Sequence, residues 1–503
     1  MPTAPLSLVG IEFTYPSAPT PLFRDLTLSF PVGFTGVAGA NGAGKSTLLQ
    51  VAAGVLRPDA GVVVPPGKAE YCAQRTDAPP AEFQVFLDDT GGHVYALRDR
   101  FGIEWDWFER WDTLSHGERK RAQIGCALWQ EPAVLALDEP TNHIDQEGRR
   151  LLLDVLSKFR GIGLIVSHDR EVLNELCSQC LWVDSGSVQV YAGGYSKMQE
   201  ARAIEFETMA RARNKAVRQR DAIKREEVAR REQSLKAHRA RSKRGLDPKD
   251  HSAKAAINAR INTDSKDGNR LRQIEGRVKR AEEAVTEAQI RKVRRIGIEL
   301  PGAVCKRDFL FRIEGGELVI GGGRILRYPE LQMRPVDRIA LMGPNGSGKS
   351  SVLAFISDHL NIEPERVIYL PQEISAPRST EILAQVKELP KDLLGQAMQV
   401  IDQLGSNPRA LLDSEKPSPG ELRKLMIALG MTKNPYLLIL DEPTNHMDLP
   451  SIEALEGALA DCVCGLLLVS HDVRFLQRLT TMRWAIDVRH AASPEVVIHS
   501  GAL

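Results

Sequence analysis

The chain of 503 residues contains no uninterrupted apolar run of about 18 residues, which excludes a conventional membrane-spanning helix. Its first 30 residues lack the basic, apolar, then small-residue order of a secretory signal. Cysteine is scarce and scattered: Cys72, Cys126, Cys177, Cys180, Cys305, Cys462 and Cys464, an odd number. Cys177 and Cys180 form a C-x-x-C, but no second pair stands at zinc spacing and no histidine cluster accompanies it. That pattern argues against a structural zinc site and for reduced thiols in a cytoplasmic protein. Net charge is only +1, so the bulk charge points neither to a polyanion binder nor to an acidic tail. What remains is an ordinary globular composition, 43% apolar and 26% charged, in a chain long enough for two or three domains.

Repetition is what the sequence does have. DEPTNH occurs at 138–143 and again at 441–446. Around it, every landmark has a twin in the same order. GANGAGKST (39–47) matches GPNGSGKSS (343–351), Gln74 in YCAQ matches Gln372 in YLPQ, LSHGE (114–118) matches PSPGE (417–421), and SHD (167–169) matches SHD (470–472). The chain therefore reads as two homologous units of ordinary domain size. VGFTGVAG and DRIALMG read as apolar strands entering a glycine-rich turn, with STLLQVAAGVL and SSVLAFISDHL as the helices that follow. AVLALDE, YLLILDE, GLIVSHD and GLLLVSHD are continuous apolar strands of the kind buried in a mostly parallel sheet, so the fold class is α/β.

G-x-x-x-x-G-K-[ST] between a strand and a helix is a phosphate loop. Its glycines let successive backbone N–H groups face an anion, and the helix start adds positive potential. The loops comprise Gly39, Ala40, Asn41, Gly42, Ala43, Gly44, Lys45, Ser46 and Thr47, and Gly343, Pro344, Asn345, Gly346, Ser347, Gly348, Lys349, Ser350 and Ser351. Lys45 and Lys349 are expected on the β/γ-phosphates of ATP, and Ser46 and Ser350 on Mg²⁺. Asp138 and Asp441 end apolar strands, where a carboxylate can hold Mg²⁺. Glu139 and Glu442 follow and are placed to polarise attacking water. Gln74 and Gln372 could reach the metal or that water, and His168 and His471 the γ-phosphate. Ser115-x-Gly117-Glu118 and Ser418-x-Gly420-Glu421 each precede a helical pattern, so a serine hydroxyl and a helix start make a second anion site.

This set of motifs resembles the ATP-binding-cassette ATPases. Two cassettes on one chain with no membrane segment, the repeated DEPTNH and YAGGYS at 191–196 resemble the ABC-F family of soluble twin-cassette proteins over nearly the whole length. The resemblance implies that the cassettes face head to tail within a monomer and sandwich two ATPs. Site one would join Lys45, Ser46, Gln74, Asp138, Glu139 and His168 to Ser418 and Gly420. Site two would join Lys349, Ser350, Gln372, Asp441, Glu442 and His471 to Ser115 and Gly117. Family members are mostly ribosome-associated translation factors, and some confer resistance to antibiotics that act on the large subunit. Departures predict unequal sites. The middle signature position is His116 in one copy and Pro419 in the other, and Pro419 offers no backbone donor. Tyr15 stands where the family stacks an aromatic on adenine, whereas the equivalent offset in the second cassette is Val319.

Between the cassettes the composition changes. Residues 197–296 hold 29 Lys and Arg against 15 Asp and Glu, a basic surplus hidden in the overall charge. From Gly194 to about Arg244 there is neither Pro nor Gly, which predicts a long helical rod. LDPKD (246–250) and TDSKDG (263–268) break it, and Leu271, Ile274, Val278, Ala281, Val285 and Ala288 then recur as the seam of a returning helix. The expected domains are cassette one (1–196), a basic helical hairpin linker (197–296) and cassette two (297–503). Lys236, Arg239, Arg241, Lys243, Arg244 and Lys249 at the tip are candidates for RNA phosphate contacts, and the lack of aromatics there argues for recognition of backbone and shape. In the resembling family this hairpin approaches the P-site tRNA and the peptidyl-transferase region of the ribosome. A solvated spacer is the alternative reading. The 41 residues from Gln74 to Ser115 and the 46 from Gln372 to Ser418 leave no room for an inserted arm, and the short stretch after His471 predicts no C-terminal extension. A DNA-associated ATPase of the repair branch and a transporter ATPase subunit are the alternative functions.

Overall fold

The computed structural model describes residues 4–64, 67–142, 144, 146–184, 186–240, 273–286, 302–414, 417–487 and 495–499. The chain forms two compact units, Met1–Met198 with Arg294–Leu503, and Gln199–Val293.

Both cassettes lie in the first unit, and each is built on a mainly parallel sheet. In cassette one the strand order is Ala69–Cys72, Val134–Asp138, Ile162–Val166, Gly33–Gly39, Cys177–Asp184, Ser187–Ala192; only the last pairing is antiparallel. In cassette two the corresponding order is Val367–Leu370, Leu437–Asp441, Gly465–Val469, Arg338–Met342, Met482–Asp487, Glu495–His499, and the sheet continues into the hairpin Arg324–Tyr328/Gly316–Ile320. The central strands VLALD, IGLIV, LLILD and GLLLV are buried along their whole length. Burial on both faces is why they lack the alternating polarity of a half-exposed strand. At about 1.5–3 kcal/mol for each large aliphatic side chain removed from water, this layer is a dominant source of stability. A smaller antiparallel sheet, Phe23–Phe30, Leu6–Phe13 and Ala60–Val64, lies beside it in cassette one; cassette two has the short pair Phe311–Ile313/Leu331–Met333.

The parallel register puts the carboxyl ends of three strands side by side. Asp138 pairs with Val166, and Val166 with Val37; Asp441 pairs with Val469. Each phosphate loop therefore leaves the sheet next to its DEPTNH segment and its SHD segment, as expected at the strand ends of an α/β sheet. The loops turn into helices Lys45–Ala52 and Lys349–Asp358 through Gly44 (φ 102°) and Gly348 (φ 99°), a left-handed conformation that disfavours any side chain. Both helices stop short of the apolar stretches that suggested them, the first because Gly54 (φ 74°) reverses the chain.

Helix Tyr195–Ala240, which belongs to the second unit from Gln199 onward, runs for 46 residues, about 70 Å at 1.5 Å per residue. A helix described over 273–286 pairs with it antiparallel through Lys224–Glu282 (2.7 Å) and Arg231–Glu275 (3.0 Å). Ile274 is buried and Val278, Ala281 and Val285 are half-buried, as the seam predicts. Leu271 and Ala288, the two breaks, and Arg241, Lys243, Arg244 and Lys249 lie outside the described residues. Lys236 and Arg239 fall on the last turns of the long helix.

Candidate active sites

In cassette two, Lys349 Nζ donates to the carbonyls of Gly343 (2.8 Å) and Pro344 (3.0 Å), and Ser350 Oγ donates to Asp441 Oδ2 (2.6 Å). Glu442 sits at φ 48°, uncommon for a residue with a side chain, and its N–H is fixed on the Val469 carbonyl at 2.9 Å. Its carboxylate meets His471 twice: Nε2 lies 3.3 Å from Oε1 and the backbone N–H donates to Oε2 at 3.3 Å. His471 Nε2 also lies 3.1 Å from Asn345 Oδ1 of the phosphate loop. Burial pushes the Glu442 carboxyl up to about 7, with Lys349 opposing. Burial also raises Asp441, against the hydrogen bond from Ser350. These groups open onto a cavity of about 430 Å³, closed on one side by Gly321 and Arg324 and on another by Thr141, Asn142, Arg149, His168 and Asp169 of cassette one.

Cassette one repeats the chemistry in a tighter setting. Lys45 Nζ donates to Gly39 O (3.0 Å) and Ala40 O (2.9 Å), and burial lowers its pKa against the pull of Glu139, Asp448 and Asp138. Glu139 again has φ 48°, with its N–H on Val166 O at 2.9 Å. His168 Nε2 lies 2.9 Å from Glu139 Oε1 and its N–H donates to Oε2 at 3.3 Å. Tyr71 Oη donates to Asp138 Oδ2 at 3.0 Å, while Asp138 Oδ1 is buried with no hydrogen-bond partner. Burial raises the Asp138 carboxyl, with the Ser46 hydroxyl opposing. Tyr15 Oη sits 2.8 Å from Thr47 Oγ1, placing an aromatic ring beside this loop, whereas Val319 is 71% exposed.

The signature serines are helix caps. Ser115 Oγ accepts from Glu118 N–H, and Glu118 Oε2 accepts from the Ser115 N–H and Oγ, both at 2.7 Å. Ser418 and Glu421 form the same reciprocal box at 2.8 Å. Such boxes satisfy the otherwise orphan donors of a helix start, and Pro419 fits at the first turn, where no N–H is missed. Sequence reasoning overlooked the residue two beyond each of these glutamates. Lys120 and Arg423 are equivalent, buried, and hold the Gln74 and Gln372 carbonyls respectively. Their signal was a matched cation at the same offset after each signature glutamate.

The cassettes also meet each other. Asn41 N–H in the first phosphate loop donates to Asp448 Oδ2 at 2.7 Å, and Asn41 Nδ2 to the His446 carbonyl at 3.4 Å. A Cβ on Gly420 would stand 2.4 Å from that same carbonyl, so only glycine lets the signature helix approach it. His446 O thus links the phosphate loop of cassette one to the signature start of cassette two. Among the described residues that line the cassette-two cavity, cassette one contributes Thr141, Asn142, Arg149, His168 and Asp169 rather than Ser115 or Gly117.

A family profile described as ABC transporter matches residues 23–142 and 326–445, once in each cassette. The ATP-binding protein Uup of Caulobacter vibrioides is 30% identical over 505 residues, covering 93% of this chain and 75% of Uup. The chain belongs to the ABC-F family. Two further relatives of this ABC-F chain are TlrC of Streptomyces fradiae, a tylosin resistance ATP-binding protein (29% identical; 95% of this chain, 96% of TlrC), and VmlR of Bacillus subtilis, a ribosome protection protein (27%; 93% and 84%). The fold is shared with the archaeal ribosome recycling factor aABCE1, solved with the stalk protein aP1, at a TM-score of 0.61 and 16% identity over 98% of this chain and 90% of that one. As an ABC-F protein the chain binds and hydrolyses ATP. No helix among the described residues is long and apolar enough to cross a membrane. A hard divalent cation suits both sites. The orphan Asp138 Oδ1 and the converging Ser350 and Asp441 oxygens are the donor type that Mg²⁺ takes.

Proposed function

We propose that ATP closes the two cassettes head to tail on two nucleotides, that the closed form occupies a site on the ribosome, and that hydrolysis releases it. The observation that carries this reading is the Asn41–His446 contact, in which one cassette's phosphate loop meets the other's DEPTNH segment at a carbonyl packed against Gly420 of the signature helix. Lys45 and Lys349 hold the β/γ-phosphates, with the backbone N–H groups of 39–47 and 343–351 around them. Ser46, Asp138 and Gln74 would hold Mg²⁺ at site one, and Ser350, Asp441 and Gln372 at site two. When bound, that ion neutralises charge on the phosphate oxygens. Glu139 and Glu442 accept a proton from the attacking water, and His168 and His471, each on its glutamate, are positioned to contact the γ-phosphate. Ser418 with Gly420, and Ser115 with Gly117, complete the opposite sites on closure.

The ribosome is the proposed partner because TlrC and VmlR, matched along more than nine-tenths of this chain, are named for resistance and for ribosome protection. The basic linker supports the same partner, with Lys236, Arg239, Arg241, Lys243, Arg244 and Lys249 on tRNA or rRNA phosphates. The protein works as a monomer in the cytoplasm. A Glu139→Gln/Glu442→Gln variant should co-sediment with ribosomes in ATP and not without nucleotide; equal pelleting under both conditions would sink the proposal.

A further inference from the structure

Cys462 and Cys464 lie between helix Leu449–Ala460 and strand Gly465–Val469. Their sulfurs are 2.8 Å apart, both side chains are buried and neither is in a disulfide. Burial raises the Cys72 and Cys126 thiols to about 12, as in inert structural cysteines. Cys462 departs from them. The hydrogen bond from Cys464, helped by the Arg338 guanidinium, holds its thiol below the usual range despite burial. Arg338 anchors the same turn, donating to the carbonyls of Leu459 (2.9 Å), Ala460 (3.4 Å) and Cys462. The pair lies in a connecting turn whose other residues, Asp461 and Val463, are exposed. Gly302 lies over both sulfurs: a Cβ there would stand 3.3 Å from Cys462 Sγ and 3.5 Å from Cys464 Sγ, so only hydrogen covers that side.

We propose that Cys462 and Cys464 form a reversible oxidation site that a small hydroperoxide closes to a disulfide. The Cys462 thiolate attacks one peroxide oxygen and the O–O bond breaks. The departing oxygen takes the proton that Cys462 released and leaves as water or alcohol, and Cys462 becomes a sulfenic acid. Cys464 sulfur then attacks Cys462 sulfur, the S–O bond breaks, and the hydroxyl leaves as water with the Cys464 proton. Two thiols lose two electrons and two protons while one peroxide is reduced. The crosslink ties the exit of helix Leu449–Ala460 to the strand that leads to His471. That helix is capped at its start by Asp448, which holds Asn41, and carries Glu456, on Arg170. The disulfide therefore stiffens the element through which cassette two holds cassette one. This effect on turnover rests on the proposed closure, whereas the oxidation does not.

The test treats the full chain with hydrogen peroxide, alkylates remaining thiols under denaturing conditions and maps peptides by mass. The expected result is a 462–464 peptide that has lost two hydrogens, resists alkylation and is restored by dithiothreitol. In Cys464→Ser the same peptide should carry an oxygen adduct on Cys462. ATPase activity should fall several-fold on oxidation, recover with reductant, and resist peroxide in Cys464→Ala. Full alkylation of both cysteines after peroxide, or hydrogen loss confined to Cys177 and Cys180, would overturn the site. A crosslink that forms and leaves turnover unchanged would uphold the site and count against its coupling to closure.

Discussion

Arg170 of cassette one and Glu456 of cassette two form an ion pair at 2.6 Å with side chains 3% and 1% exposed. Removing one partner of such a pair costs about 3–5 kcal/mol, because the other charge is left buried and uncompensated. Glu456 has a second cation, Arg478 at 2.9 Å, which is 56% exposed. Arg170→Leu should therefore fall at the low end, about 3 kcal/mol. Glu456→Leu should cost a similar amount, about 3–4 kcal/mol, because Arg170 Nε and Nη2 already lack hydrogen-bond partners while the charge of Asp472 remains nearby. The double variant carries neither buried charge and should recover much of the loss, giving a coupling energy of roughly 2–3 kcal/mol. Urea unfolding followed by the fluorescence of the six tryptophans reads this as shifts in the transition midpoint. Two single variants costing less than about 1 kcal/mol each, or strictly additive losses, would refute the view that this pair fastens the cassettes together.

Other outcomes follow from the same geometry. In Glu139→Gln, where only site two turns over, kcat/KM for ATP should rise with pH through about 7, the value to which burial lifts Glu442. A rise complete near pH 4–5, typical of an exposed carboxyl, would contradict it. The same group should erode stability as pH rises from its unfolded value through about 7, because the folded state binds the extra proton in that window. Tyr15→Ala, measured in a Glu442→Gln background, should weaken ATP binding at site one by about 0.5–1.5 kcal/mol of lost aromatic contact; an unchanged KM would remove Tyr15 from the site. Gly420→Ala must displace the His446 carbonyl and should depress site-one turnover while leaving Glu442-dependent turnover largely intact. Expression in a susceptible host separates two roles: a raised inhibitory concentration for a large-subunit antibiotic marks a protection protein, and an unchanged panel marks a housekeeping factor.

Much of the fold and of both sites is legible in the sequence. Continuous apolar runs ending in Asp138 and Asp441 had to be buried parallel strands, and the glycine spacing had to be a turn onto a helix. The long linker helix followed from the lack of Pro and Gly. The sequence marks asymmetry at Pro419 and Tyr15, but not where the cassettes fasten to each other. Arg170 and Glu456 have Val473 and Leu153 at their twin positions, so the ion pair exists on one side only, and no local pattern marks it. The left-handed backbone of Glu139 and Glu442 was equally silent, since glutamate carries no signal for that conformation. Pro419 reads differently in place: a lost donor in the sequence becomes a favourable first-turn residue on a helix capped by Ser418.

The most direct test of two coupled sites driving ribosome binding is the nucleotide content of the pelleted complex. Ribosomes collected with the Glu139→Gln/Glu442→Gln chain in ATP should carry two unhydrolysed ATP molecules per bound chain, and a Ser418→Arg change should release both the nucleotide at site one and the chain itself. Full ribosome occupancy with one ATP or none per chain would contradict the account.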